Sequence, residues 1–147
     1  MIRNIAKTDY GNIIQMLKNY RDASGIESVS RATNEIYIEL LLNHIRAGRG
    51  VGLVAERDGE AVGLLLALLN PSVWHPEDLQ LQELVFWVEP KARYGRVGYL
   101  LLKEYVRIGQ AMKRTNMITN FTMTRRAGTQ LNYSRFGFRP VDENWSQ

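Results

Sequence analysis

The chain has 147 residues, of which 45% are hydrophobic and 23% charged. That suits one domain with a core of ordinary size and excludes a disordered chain. There is no cysteine, which excludes disulfides, thiolate metal sites and a cysteine nucleophile. The net charge of +4 comes from 14 arginines and 5 lysines against 15 acids. An arginine bias suits phosphate recognition, but basicity alone does not separate a phosphate-bearing cofactor from nucleic acid.

Residues 2–5 read as a short first strand. Thr8-Asp9 offers an N-cap for a helix in which Ile13, Ile14, Met16, Leu17 and Tyr20 fall largely on one face. Residues 22–28 read as a loop. Residues 30–45 carry a second helical pattern, with Ile36, Leu40, Leu41 and His44 at helical spacing and Gly48 to end it. Residues 50–56 and 61–69 are strands joined by Arg57-Asp58-Gly59-Glu60, a hairpin signal. Asn70-Pro71 stops the second of them. A loop over residues 72–78 carries Trp74 and His75, and residues 79–88 form the next strand, ended by Pro90.

Residues 91–97 form a basic, glycine-bearing loop. Residues 98–112 read as a third helix with an apolar side of Leu101, Leu102, Tyr105, Val106, Ile108 and Met112. A fifth strand over 117–123, a short fourth helix over 125–135, and a final strand or extended tail to Trp145 complete the chain. With no repeat and no linker, residues 1–147 are one domain of α/β or α+β class with a mixed sheet.

No long apolar run follows Met1-Ile2-Arg3-Asn4, so no signal peptide is expected. The longest apolar stretch, residues 64–69, is too short to span a bilayer. The expectation is a soluble, cytoplasmic protein without membrane contact. His44 and His75 lie too far apart to suggest a metal site, and none is expected.

One segment concentrates the chemistry. Over residues 83–98, Glu-Leu-Val-Phe-Trp-Val-Glu-Pro-Lys-Ala-Arg-Tyr-Gly-Arg-Val-Gly, a strand runs into a basic loop that opens a helix. Unpaired N–H groups at a helix start, reinforced by the helix dipole, favour phosphate. Gly95 and Gly98 would let the backbone approach a ligand, and Arg93 and Arg96 add charge and directional donors. These residues alone leave two readings open: a pyrophosphate site, or a tight turn on a solvated loop. The segment is neither a P-loop nor the dinucleotide fingerprint, because the required glycine and lysine spacings are absent.

The segment resembles motif A of the GCN5-related N-acetyltransferases. The matching pieces are Val88-Glu89-Pro90, then Arg93-Tyr94-Gly95-Arg96-Val97-Gly98, then Leu101-Leu102, with Arg96 standing where the family has its middle glycine. Asn132-Tyr133-Ser134-Arg135-Phe136-Gly137-Phe138 is similar to the family's closing Leu-Tyr-Glu-Lys-Leu-Gly-Phe. The resemblance spans essentially the whole chain and suits compact bacterial or phage-encoded members. It implies a single domain with a mixed, mostly antiparallel sheet of six to seven strands flanked by about four helices.

The resemblance further implies acetyl-CoA as cofactor and an amine, on a small molecule or a protein, as acceptor. By the same resemblance, residues 93–99 (Arg93, Tyr94, Gly95, Arg96, Val97, Gly98 and Tyr99) form the pyrophosphate loop. Phe86, Trp87 and Val88 would line the pantetheine, with the Val88 N–H polarising the thioester carbonyl. Tyr133 is the acid for the departing thiolate and Glu83 the base for the amine, with His75 an alternative base. Relatives often carry an asparagine near the start of the fourth helix; here the matching residues are Arg125-Arg126-Ala127-Gly128, and Arg126 is the substitute phosphate contact. Two alternatives stand beside the enzyme: a non-catalytic CoA-binding or protein-interaction member of the same fold, and a basic nucleic-acid-binding module, which lacks a recognition helix or aromatic-interleaved basic patches. The acceptor's identity and a homodimeric state stay open.

Overall fold

The computed structural model describes residues 1–24, 33–126 and 129–145. Among these the elements are β1 (Ile2–Asn4), a 3-10 turn (Lys7–Asp9), α1 (Tyr10–Ser24), α2 (Glu35–His44) with a π-helical turn (Ile45–Arg49), β2 (Gly50–Arg57), β3 (Glu60–Pro71), β4 (Leu79–Val88), a 3-10 turn (Pro90–Ala92), α3 (Val97–Arg114), β5 (Asn120–Thr122) and a 3-10 turn (Tyr133–Phe136). The sheet order is β1-β2-β3-β4-β5. The first four strands pair antiparallel and β5 joins β4 in parallel. Asp58 and Gly59, with φ of 54° and 77°, make the two-residue turn that their sequence signals.

Each face of the sheet carries its own core. On one face α1, α2 and the π-helical turn supply Tyr10, Ile13, Met16, Leu42 and Ile45, which pack on Val54, Leu64, Leu66 and Trp87. On the other, α3 supplies Leu101, Leu102, Tyr105 and Val106, which pack on Leu53, Leu65, Ala67 and Leu81. At roughly 1.5–3 kcal/mol per fully buried large apolar side chain, these two layers dominate the favourable side of folding. No helix among the described residues is long and apolar enough to cross a membrane.

Several expectations need correction. Five strands and three α-helices stand among the described residues, in place of six to seven and about four. The fourth helix expected over 125–135, of which residues 127–128 lie outside the described residues, gives way to the turn Tyr133–Phe136. Asn132 starts that turn by accepting from the Ser134 N–H, and Gly137, at φ 88°, ends it. Among the described residues, 138–145 form no strand, and the extended-tail alternative applies.

Helix α1 runs to Ser24, past the expected loop start at Asp22; residues 25–28 of that loop lie outside the described residues. Its entry is fixed by Asp9, which accepts from the Ala6 N–H and from Arg3. Helix α2 begins at Glu35 behind an Asn34 cap; residues 30–32 of the expected helix lie outside the described residues. The α2 core face is also phased differently. Leu42 and Ile45 are buried, while Ile36 and Leu40 are exposed.

Candidate functional site

Strands β4 and β5 stay together for only three pairs, Gln80 with Asn120, Leu81 with Phe121 and Gln82 with Thr122. Beyond Gln82 they part. Tyr105 sits at the fork: its fully buried hydroxyl donates to Thr122 O at 2.8 Å and lies 3.4 Å from Leu81 O. Burial there pushes the phenol well above the usual tyrosine value.

The exposed edge of β4 belongs to residues 83–88. The Glu89 N–H donates to Val62 O on the β3 side. Main-chain direction alternates along a strand, so the main-chain groups of Phe86 and Val88 face away from β3 and into the gap. Two arginines mark that edge: Arg93 Nε donates to Val88 O at 2.9 Å, and Arg126 Nη2 donates to Leu84 O at 2.9 Å. The N–H groups of Phe86 and Val88 therefore point into a cleft with no strand beside them among the described residues.

A bulge at Leu84 changes which side each residue faces. Leu66 pairs with Val85, but the next pair is Ala67 with Glu83. Glu83 thus shares the α3 face with Ala67, while Val85 and Trp87 turn to the α1 face with Leu66 and Leu64. The Glu83 side chain is fully buried. Its Oε1 receives Arg126 Nη1 at 2.9 Å and its Oε2 receives the Thr124 N–H at 3.2 Å. Arg126 Nε donates to the Tyr20 hydroxyl on α1 at 2.6 Å. Burial works against the Arg126 charge, but Glu83 and Tyr20 outweigh it, so the guanidinium stays protonated.

At the open end of the cleft, Arg96 is the N-cap residue of α3 and makes no side-chain cap bond, so its side chain leaves the first N–H groups of the helix uncapped. The Arg96 guanidinium lies 5.1 Å from the Tyr99 ring centroid, back along the helix, and the Arg93 guanidinium lies 4.6 Å over Trp87. Tyr94 is fully exposed. Nothing in the fold requires glycine at 95 or 98. Neither has positive φ, and a Cβ would meet nothing closer than 3.8 Å at Gly95 or 3.5 Å at Gly98.

Tyr133 begins the last 3-10 turn, half-buried against Phe138, with its hydroxyl 3.4 Å from Thr124 O. Burial and the nearby Glu83 charge push its phenol above the usual value. Residues far apart in the chain therefore converge: Glu83, Phe86 and Val88 on one arm, Thr124, Arg126 and Tyr133 on the other, and the start of α3 at the mouth. Trp87 instead turns into the α1-side core, edge-on to Tyr20 at 6.0 Å, with its Nε1 unpartnered. Arg126, expected on a phosphate, lies at the closed end of the cleft. His75 and Trp74 stand exposed in their loop, and His44 is exposed on α2. Tyr20 was legible only as an apolar position of α1, and no sequence signal marks the bulge that orients Glu83.

No family model and no curated protein matches the chain. Solved structures do. A GCN5-related N-acetyltransferase from Ralstonia eutropha JMP134 superposes with a TM-score of 0.76 at 18% identity, covering 100% of this chain and 97% of that one. A predicted acetyltransferase with acetyl-CoA from Clostridium acetobutylicum gives 0.75 at 16% identity, over 100% and 94%. A transcriptional regulator from Bacillus halodurans C-125 gives 0.70 at 18% identity, over 100% and 97%, so one architecture carries different named functions. The resemblance read in the sequence extends to the architecture: the chain has the fold of the GCN5-related N-acetyltransferases.

Proposed function

We propose that the chain belongs to that family, binds acetyl-CoA in the cleft between β4 and β5, and transfers the acetyl group to a primary amine. The observation that carries this reading is the parting of the two strands directly beside the start of α3. The strand-free edge, with the N–H groups of Phe86 and Val88 toward the gap, offers an extended pantetheine hydrogen bonds that a neighbouring strand would otherwise take. The N–H groups opening α3, with Arg93 and Arg96, receive the pyrophosphate. Glycines at 95 and 98 that the fold does not need are explained by a ligand lying against their Cα atoms.

In the reaction, a neutral amine attacks the thioester carbonyl; a C–N bond forms and the C–S bond breaks. Of the two N–H groups toward the gap, that of Phe86, nearer the fork than Val88 and farther from the phosphates, stabilises the developing oxyanion, a preorganised contribution of the kind that dominates acyl transfer. Tyr133 gives its phenolic proton to the leaving thiolate, the amine gives up one proton, and solvent reprotonates the phenolate. A phenol held above its ordinary value stays protonated at neutral pH and remains available as an acid. The acceptor enters from the α1 side, where a groove of about 480 Å³ with mixed lining, polar at Asn12, Gln15, Asn19, Glu60 and Glu89 and apolar at Met16, Ala61 and Pro90, opens beside the end of β4.

The test has two stages. Saturating acetyl-CoA should raise the melting temperature, by roughly 2.7 kcal/mol of stabilisation at a hundredfold excess over Kd. Thiol release with a panel of primary amines should then find an acceptor. No thermal shift sinks the reading. A shift without turnover on any amine leaves a CoA-binding protein of the same fold, which the Arg126 side chain standing in the cleft would suit.

A further inference from the structure

We propose that Glu83 is a positioning residue: it seats the Arg126 guanidinium as the end wall of the cleft, and it does not take the amine proton. This rests on the acetyl-transfer reading above.

Three observations carry it. First, both Glu83 oxygens are already engaged in the interior. The side chain is fully buried, one oxygen holds Arg126 Nη1 and the other holds the Thr124 N–H. A base must be within hydrogen-bond reach of the proton or of a relaying water, and here the guanidinium occupies that approach. Second, the pair lies across the gap. Glu83 is on the α3 face of β4, Tyr20 is on α1 against the opposite face, and Arg126, beyond the end of β5, bonds both. Its guanidinium therefore passes through the opening between the parted strands.

Third, the guanidinium stands where an acyl group would point. The phosphates sit at the start of α3, near the C-terminal end of β4, so the thioester end is directed toward the fork. Arg126 Nη2 is bonded to Leu84 O, which sets the guanidinium two residues along the edge from Phe86, about 7 Å at the rise of an extended strand. A short acyl group fits between them, and each added methylene is pressed toward a charged, hydrogen-bonded wall. With Glu83 committed to this wall, the amine proton leaves to water on the α1 side.

The experiment compares Glu83→Gln, Glu83→Ala and the double variant Glu83→Gln with Arg126→Met, each checked for an intact fold. Glutamine still accepts from Arg126 but cannot act as a base at neutral pH. The proposal expects Glu83→Gln to hold kcat within about tenfold of wild type, while Glu83→Ala falls further. A loss of a hundredfold or more for Glu83→Gln, on the general-base scale and equal to that of alanine, overturns it. The double variant removes the wall without stranding a buried charge. Its kcat/KM ratio for butyryl-CoA over acetyl-CoA should rise at least about tenfold, the scale of one or two methylenes in a tight pocket. Acetyl transfer with an unchanged ratio overturns this inference alone, whereas no acyl transfer by wild type overturns it together with the functional reading.

Discussion

Replacing Tyr133 by phenylalanine separates stability from catalysis. The hydroxyl makes a long contact, 3.4 Å to Thr124 O, and meets the Thr129 side chain, while the ring packs on Phe138 and is retained in the variant. A bond of that geometry is worth at most about 1 kcal/mol, or roughly 3 °C in melting temperature for a chain of this size. Removing a general acid instead costs about 10²–10⁴ in rate, equivalent to about 3–5 kcal/mol of barrier. The expected result is a kcat lowered at least a hundredfold, with acetyl-CoA affinity and melting temperature nearly unchanged. Steady-state thiol release and ligand-induced thermal shifts measure the two separately. Because the phenol is held above its ordinary value, the wild-type rate should fall on the alkaline side only above about pH 10, the usual tyrosine range, and the variant should lack that limb. A kcat within threefold of wild type would refute the acid role.

Gly98→Ala tests the pyrophosphate site, since the new Cβ meets only ordinary contacts at 3.5–3.8 Å. The melting temperature should hold or rise, and acetyl-CoA should bind at least about tenfold more weakly, a 1.4 kcal/mol effect; unchanged affinity places the phosphates elsewhere. Gly109→Val puts a Cβ 2.6 Å from the Phe121 ring, so α3 and β5 must separate. Overpacking of about 1–3 kcal/mol exceeds the few tenths gained in helix propensity, and the melting temperature should drop by several degrees; a rise would refute the packing argument. Asp9 is held below the usual carboxylate range, first by its hydrogen bonds from Arg3. A lowered folded value contributes stability above the unfolded value near 3.9 that is lost as pH falls through the folded one. Denaturant midpoints should therefore show Asp9→Asn weaker than wild type at pH 7 and the difference shrinking toward pH 3; a constant difference contradicts the linkage.

What could be read from the chain depended on how local the determining physics is. The hairpin at Asp58-Gly59, the bounds of β4 and the apolar stripe of α3 all follow from periodicity and turn chemistry within a few residues. The phase of α2 is not legible in its own sequence, because nearly every position from Ile36 to Leu42 is apolar or ambiguous. Its buried face is chosen by what α1 and the sheet offer, not by its own pattern. The fourth helix failed for a related reason: Asn132 and Gly137 satisfy a short turn locally, and no long apolar face compels more.

At the candidate site the same division holds. The strand, the basic loop and the helix start lie consecutively over residues 83–99, so the sequence alone determined a phosphate-competent helix start beside a strand end, and the family resemblance that goes with it. Only the tertiary structure decided that β5 leaves β4 after three pairs, that a bulge at Leu84 turns Glu83 and Trp87 to opposite faces, and that Arg126 bonds Glu83, Leu84 and Tyr20 across the gap. The physical reason is sequence separation. A one-residue shift in strand register leaves no local signature, yet it inverts which face every later side chain occupies. The partners of Arg126 lie 42 to 106 residues away, brought within bonding distance only when both cores have packed.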